Sequence, residues 1–142
     1  MIVPDATVLV YAHNRSVPEH EAARHWWEAA VGGSEPVGID WTVVLAFVRL
    51  LSSPTIVERP LAPSALLAKA GAFLEQPNVR LVTPGPRHVA IMRELFEVTG
   101  GGSRLTTDVH LAALAIELDG RLATTDADFS RFPRLRSFNP LG

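Results

Sequence analysis

Short apolar stretches alternate along the whole chain with longer segments of helical periodicity, and this alternation constrains the fold more than any other feature of the sequence. The apolar stretches have the length of buried strands, and the segments between them have the spacing of amphipathic or buried helices. The predicted strands are Ile2–Val3, Val37–Ile39, Val79–Val82, Arg121–Ala123 and Leu135–Ser137, and the predicted helices are Thr7–Ala12, Glu19–Val31, Thr42–Leu51, Ser64–Glu75, Arg87–Val98 and Thr107–Leu118. Strands that alternate with helices predict an α/β fold with a mainly parallel sheet covered on both faces.

Length and composition indicate one globular domain over residues 1–142. Hydrophobic residues make up 47 % of the chain and charged residues 20 %, which is typical of a folded protein with a full core. The chain has no cysteine, so disulfides, thiolate zinc sites and cysteine nucleophiles are excluded. No apolar run approaches the roughly 20 residues of a membrane span, and the first residues lack the features of a signal peptide. We therefore expect a soluble cytoplasmic protein.

The basic residues are nearly all arginine. The net charge is −2, which argues weakly against a nucleic-acid partner, and Lys69 is the only lysine among 13 basic residues. Arginine binds phosphate with two parallel hydrogen bonds, but arginine codons of a GC-rich genome explain the same pattern. Four arginines follow Gly120, namely Arg121, Arg131, Arg134 and Arg136.

Four of the six aspartates occupy positions typical of an active site. Asp5 directly follows the first predicted strand, and Asp126 and Asp128 follow the fourth. Asp108 opens a helix that is apolar almost all round, where an ionised carboxylate is costly unless it is paired or bound to a metal. Each has a local alternative, because aspartate also caps helices and stabilises turns. In parallel sheets, ligands bind beyond the carboxyl ends of the strands, so we expect these carboxylates to converge there.

A cluster of carboxylates without cysteine predicts a site for a hard divalent cation. Two carboxylates at about 4 Å repel each other by about 4 kcal/mol at an effective dielectric constant of about 20, and a divalent ion reverses the sign of that energy. Oxygen ligands suit Mg²⁺ or Mn²⁺. Mg²⁺ held by few carboxylates also binds phosphate oxygens and activates water, which favours hydrolysis of phosphodiesters without a protein nucleophile.

Three segments resemble the motifs of PIN domains, in the order and at the spacing of that family. They are Val3–Ala12 (VPDATVLVYA), Thr107–Ala115 (TDVHLAALA) and Thr124–Phe129 (TTDADF). The length of the chain is similar to that of the VapC toxins of bacterial type II toxin–antitoxin systems, and its arginine- and alanine-rich composition resembles mycobacterial members.

This resemblance implies an α/β/α sandwich with a parallel central sheet. It also implies Mg²⁺-dependent endoribonuclease activity on RNA, a homodimer, and neutralisation by a VapB antitoxin that blocks the active site. The residues that match the family's acidic positions are Asp5, Asp108, Asp126 and Asp128, with Asp5, Asp108 and Asp126 as the expected metal ligands.

The sequence departs from the family at one acidic position. PIN domains usually carry a glutamate in the helix after the second strand, and the pattern places it at Ala46. Asp40 lies six residues earlier, about 600° around a helix, so it does not share that face, and we interpret it as a helix cap. One metal site survives this loss, whereas catalysis with two metals is in doubt.

Other polar side chains have mainly structural interpretations. We expect His13 to be a surface or capping residue rather than an RNA contact, and Arg49 to form a surface salt bridge rather than to bind phosphate. His110 lies about 200° around the helix from Asp108, so it should point away from the metal. Thr107 and Thr125 precede acids and either bind the carboxylates or cap locally.

Tryptophans and apolar helices are interpreted as core or interface. Trp26, Trp27 and Trp41 are spaced for packing, although aromatic residues also stack on RNA bases. The helices Glu19–Val31 and Thr42–Leu51 are apolar enough to supply a surface for a dimer or an antitoxin.

Two other functions fit part of this pattern. The missing glutamate is compatible with a PIN-like domain that binds RNA or protein but has lost catalysis. A phosphatase-like enzyme on a similar sheet is the third alternative, but Asp5-Ala6-Thr7 lacks the second aspartate that such phosphate-binding loops often carry.

Overall fold

A five-stranded parallel sheet forms the centre of the protein, in a computed structural model that describes residues 1–142. The strand order is β3-β2-β1-β4-β5, and every neighbouring pair is parallel. The strands are β1 (Ile2–Pro4), β2 (Val37–Ile39), β3 (Val79–Leu81), β4 (Arg121–Ala123) and β5 (Arg136–Phe138). The three central strands are almost entirely buried, as expected for a parallel sheet covered on both faces.

Six helices connect the strands. They are α1 (Ala6–His13), α2 (His20–Val31), α3 (Trp41–Leu51), α4 (Pro63–Leu74), α5 (His88–Thr99) and α6 (Thr106–Glu117), with short 3-10 turns at Ser103–Leu105 and Ala127–Arg131. Helix α1 packs on α2 and α3, and α3 packs on α4, whereas α5 packs on α6. The strands β1, β2 and β3 follow one another in one direction across the sheet, whereas the connection from β3 to β4 crosses back. Because crossovers between parallel strands are right-handed, the helices of the first two connections and those of the third lie on opposite faces of the sheet. The predicted α/β/α sandwich is confirmed.

Local signals in the sequence explain why the helices begin and end where they do. The side chain of Asp40 accepts a hydrogen bond of 3.0 Å from the backbone N–H of Thr42 and caps α3, as predicted. Pro63 occupies the start of α4, where its missing N–H costs nothing. Gly100 ends α5 with a φ of 64°, a left-handed conformation that glycine adopts without strain. Every predicted strand and helix is present, with ends within one residue of the prediction.

The order of the strands creates a crevice between β1 and β4. The chain leaves β1 towards β2 on one side and arrives at β4 on the other, so the connecting helices lie on opposite faces beyond these two strands. Ligands of open α/β sheets bind at this type of position, beyond the carboxyl ends of the strands. The residues that directly follow β1 and β4 are Asp5 and Thr124.

None of the helices has the length and apolar character that crossing a bilayer requires.

Candidate active site

Asp5 lies in the crevice between β1 and β4 and is tied to both strands. Its backbone N–H donates to the carbonyl of Ala123 at 2.9 Å. The hydroxyl of Thr124 donates to the Oδ2 atom of Asp5 at 2.9 Å. The pairing of Pro4 with Ala123 continues by one residue, which brings Asp5 and Thr124 opposite each other. The carboxylate of Asp5 is therefore held in place by the hydroxyl of Thr124. A residue that only caps its own helix does not need such a hydrogen bond.

The environment of Asp5 disfavours its charge. Burial raises the pKa of this carboxyl above its usual value, and the nearby Asp126 raises it further. The hydrogen bond from Thr124 and the backbone N–H groups of Ala6 and Thr7 act in the opposite direction without cancelling the effect. A carboxylate that is buried and close to another carboxylate is a common feature of functional sites.

Helix α6 delivers the second carboxylate. Asp108 lies in the first turn of α6 and is partly buried. Its pKa is raised by burial first and then by the charges of Asp5 and Asp126, while Arg131 lowers it. These aspartates come from three separate segments of the chain and lie close enough for their charges to act on one another.

Asp126 and Asp128 follow β4 on an exposed 3-10 turn. The Oδ1 atom of Asp126 accepts a hydrogen bond of 2.9 Å from the N–H of Asp128 and caps the turn. The side chain of Asp128 is 74 % exposed and lies 3.3 Å from the guanidinium of Arg131. The structure thus brings Asp5, Asp108 and Asp126 together and leaves Asp128 at the rim, paired with an arginine.

The donor set suits a hydrated divalent cation better than an enclosed one. No group of three acidic or histidine side chains is arranged closely enough to hold a metal ion by itself. None of Asp5, Asp108 and Asp126 forms an ion pair with a lysine or arginine, since Arg131 is paired with Asp128. Mg²⁺ is usually bound through one or two carboxylates and keeps several waters. The uncompensated carboxylates fit such an ion.

No acidic side chain takes the place of the glutamate that the family usually carries in this helix. Ala46 lies in α3 and offers no ligand. Asp40 does not replace it, because its buried Oδ2 atom accepts from the backbone and hydroxyl groups of Thr42 and from Nε2 of His110 at 2.9 Å. Asp40 is not among the groups that raise the pKa of Asp5 or Asp108.

His110 and His13 bond to groups outside the cluster of Asp5, Asp108 and Asp126. The Nε2 atom of His110 bonds Asp40, and its Nδ1 atom lies 2.9 Å from Nε2 of His88. His13 donates from Nδ1 to the carbonyl of Leu9 at 2.7 Å in the last turn of α1, which is the capping role predicted for it. Its ring also packs against Phe47.

The prediction that Arg49 forms a surface salt bridge is wrong. Arg49 is exposed and belongs to none of the ion pairs, because no acid lies three or four residues away along α3.

The three tryptophans differ in burial. Trp27 is buried and Trp26 packs against Phe138. Trp41 is 49 % exposed at the start of α3.

Sequence reasoning missed Thr124 and Arg131. The sequence indicates Thr107 and Thr125, which precede acids, but Thr124 is the residue whose hydroxyl donates to Asp5. Its position directly after β4 was a signal, which becomes useful only once β4 is known to neighbour β1. Arg131 has no local signal in the sequence beyond being one of the four arginines that follow Gly120.

Comparison with known proteins shows the family whose domain this chain matches. The family described as PIN domain matches residues 2–135. Ribonuclease VapC33 of Mycobacterium tuberculosis is 39 % identical over 141 residues, covering 99 % of both chains. Ribonuclease VapC37 of the same organism is 36 % identical over 140 residues, covering 99 % of this chain and 97 % of the relative.

Solved structures share the fold at lower identity. One is VapBC2 from Rickettsia felis bound to a DNA fragment from its promoter, with a TM-score of 0.67 at 20 % identity, covering 98 % of each chain. Another is VapC20 of Mycobacterium tuberculosis, a toxin that cleaves the sarcin–ricin loop, with a TM-score of 0.63 at 18 % identity, covering 96 % of this chain and 99 % of the other.

Proposed function

This chain belongs to the PIN-domain family, and we propose that it is a metal-dependent endoribonuclease that acts as the toxin of a type II toxin–antitoxin system. One observation carries the proposal. Asp5, Asp108 and Asp126 come from three segments and interact electrostatically near the switch point of the sheet: burial and the neighbouring carboxylates raise the pKa values of Asp5 and Asp108, and none of the three forms an ion pair with a lysine or arginine. The relatives named as VapC ribonucleases span the full chain, which supports the same activity.

The carboxylates are suited to hold a divalent ion against a phosphodiester. Ribonucleases of this family are generally dependent on a divalent metal, and we assign Mg²⁺, with Mn²⁺ as a substitute, to the cluster of Asp5, Asp108 and Asp126, with water completing its coordination because the three side chains do not hold an ion by themselves. Such an ion supplies an activated water and stabilises the negative charge that develops on the phosphate. Asp5 and Asp108 are the principal ligands because they are the more buried of the three.

The remaining residues of the site orient these ligands. Thr124 donates to Asp5 and so fixes one carboxylate oxygen. Asp126 is partly engaged in capping the turn that carries Asp128 and Arg131. Arg131 is the one cation whose charge lowers the pKa of Asp108, and it is available to contact an RNA phosphate at the rim if its bond with Asp128 opens.

A VapB-like antitoxin is the partner that we assign to this toxin. The structural neighbours include a VapBC complex and a FitAB complex bound to DNA fragments, which supports a protein partner of that type. Trp41 and Leu45 are 49 % and 61 % exposed and lie four residues apart, on one face of α3. We assign this face to an antitoxin or to a second copy of the chain in a homodimer.

RNA cleavage with matched variants tests the function. The purified chain should cleave single-stranded RNA with Mg²⁺ and stop when a chelator is added. Asp5→Asn and Asp108→Asn should each lower the rate by at least about 100-fold, the scale of losing one group that stabilises charge in a transition state. Asp119→Asn is the control, because Asp119 is exposed, has a φ of 52° that asparagine tolerates, and lies outside the cluster.

The missing glutamate favours one competing function. A PIN-like domain that binds RNA or an antitoxin without cleaving it would bind RNA in all four proteins and cleave it in none. Cleavage by the parent chain that survives both Asp5→Asn and Asp108→Asn would overturn the site assignment, whereas binding without cleavage would support the alternative.

A further inference from the structure

A cavity of about 500 Å³ lies at the opposite end of α1 from Asp5. Helix α1 runs from Ala6 to His13, about 12 Å at the usual rise per residue, so this cavity is separate from the aspartate cluster. Its walls come from the ends of α1 and α3, the segment 57–61 and Lys69 of α4. Its volume lies in the range of cavities that bind small ligands.

The cavity has an excess of positive charge that its one acid does not neutralise. Arg15, Arg59 and Lys69 line it, all three are exposed, and none takes part in an ion pair. Glu58 is the one acid in the lining. The C-terminal ends of α1 and α3 each contribute about half a negative charge. Together with Glu58 these ends offset about two of the three positive charges, so the cavity keeps a net attraction for anions.

Two side chains at the end of α1 add directional hydrogen-bonding groups. Asn14 is only 8 % exposed, and its Oδ1 atom accepts from the N–H of Ser16 at 3.1 Å, which leaves its NH₂ group as a free donor. His13 uses Nδ1 for the carbonyl of Leu9, which leaves Nε2 as an acceptor when the ring is neutral. Burial lowers the pKa of His13, and the facing charges of Lys69 and His20 lower it further against the bond to Leu9.

The lining is also apolar on one side. Leu51 and Val57 are buried beneath the cavity, and Leu61 is 42 % exposed at its edge. Cations and an amide donor suit the oxygens of a phosphate, an acceptor nitrogen suits a sugar hydroxyl, and aliphatic side chains suit the face of a base. This combination differs from what a bare inorganic anion needs.

We propose that this cavity is a binding site for a phosphate group of a nucleotide, contacted by Arg15, Lys69 and the amide of Asn14. The source is either a free nucleoside monophosphate or a phosphodiester of bound RNA. The site goes beyond the proposed nuclease function, because none of its residues belongs to the aspartate cluster. It predicts binding in the absence of metal.

Titration of the full chain in the presence of a chelator tests this site without RNA cleavage. The probes are inorganic phosphate, adenosine 5′-monophosphate and a short single-stranded RNA, followed by calorimetry and by the NMR signals of the His13 ring. We expect saturable binding of the nucleotide, the RNA or both, with a change in the His13 signals. Binding of the monophosphate identifies a free nucleotide as the source, and binding of the RNA alone identifies its backbone.

Matched variants separate this site from general attraction of anions. Arg15→Gln and Lys69→Gln remove exposed cations and should each weaken binding by about tenfold, the scale of a charge-assisted hydrogen bond. Arg80→Gln is the control, since Arg80 is exposed and free of ion pairs on β3, and it should change binding by less than about twofold.

Three results would overturn the proposal. They are no saturable binding of any phosphate probe at millimolar concentration, equal weakening by Arg80→Gln, or tighter binding of polyglutamate than of the phosphate probes. Because the titration contains no metal, each of these results leaves RNA cleavage with Mg²⁺, and thus the nuclease function, to be judged separately.

Discussion

The hydroxyl of Thr124 lies 2.9 Å from the Oδ2 atom of Asp5, and this bond joins the carboxyl ends of β1 and β4 at the switch point of the sheet. Thr124 is 4 % exposed, so the bond is shielded from water. It connects two residues at opposite ends of the sequence, and it fixes the carboxylate on which the proposed metal site depends.

Removing this hydroxyl should impair the site more than the fold. Thr124→Val keeps the shape of the side chain but deletes the donor, so we expect a loss of about 1 kcal/mol in the free energy of unfolding. Because the bond from Thr124 lowers the pKa of Asp5, that pKa should rise further. RNA cleavage should fall by about fivefold if the same free energy is lost from the transition state. Thr125→Val is the control, and equal effects of the two variants would remove Thr124 from the site.

The raised pKa values of Asp5 and Asp108 predict how stability depends on pH. In the folded, metal-free chain these groups bind protons more readily than in the unfolded chain. Stability should therefore be lost as pH rises from the ordinary value of 3.8 through the raised values. A bound cation stabilises only the folded chain, so Mg²⁺ should raise Tm at neutral pH.

Thermal unfolding at several pH values, with and without Mg²⁺, measures this effect. We expect the gain in Tm from Mg²⁺ to shrink as pH falls, and to be absent in Asp108→Asn. A gain that is the same at every pH, or that persists in this variant, would mean that the ion binds elsewhere.

Restoring the acid at Ala46 tests the alignment of α3 with the family. Ala46→Glu should increase the number of bound ions or their affinity, because it adds a fourth carboxylate where PIN domains usually carry a glutamate. Calorimetric titration with Mn²⁺ measures both quantities, and Ala46→Gln controls for size. Identical titrations of the parent and Ala46→Glu would show that this position does not face the metal.

The bond between His110 and Asp40 predicts a large effect on stability. Asp40 is 4 % exposed and accepts from Nε2 of His110 at 2.9 Å. His110→Ala leaves a buried carboxylate without this partner, which costs about 2–3 kcal/mol. Unfolding in urea measures the loss, and His25→Ala on the exposed face of α2 is the control.

A double variant checks the cause of that loss. Combining His110→Ala with Asp40→Asn should destabilise by less than the sum of the two single changes, because residues in contact are coupled. Additive effects would show that the two side chains act independently.

The elements of the fold could be predicted because their signals are local. Gly100 after α5, Pro63 at the start of α4 and Asp40 before α3 mark helix ends through properties of single residues. The strand order could not be predicted in this way, because the pairing of Pro4 with Ala123 depends on packing of the whole chain.

The same division holds for the site. Asp5, Asp108 and Asp126 were candidates because each follows a strand or begins a helix. Their partners were not predictable, since Thr124 reaches Asp5 across the sheet and Asp40 reaches His110 from 70 residues away. Contacts of this kind exist only after β1, β4 and α6 have come together.

Binding of Mn²⁺ to the parent chain and its aspartate variants, followed by electron paramagnetic resonance at neutral pH, tests the central claim most directly. We predict at least one saturable ion per chain in the parent and in Asp119→Asn, and its loss in Asp5→Asn and in Asp108→Asn. Undiminished binding in both of these variants would contradict the assignment of the crevice between β1 and β4 as the metal centre.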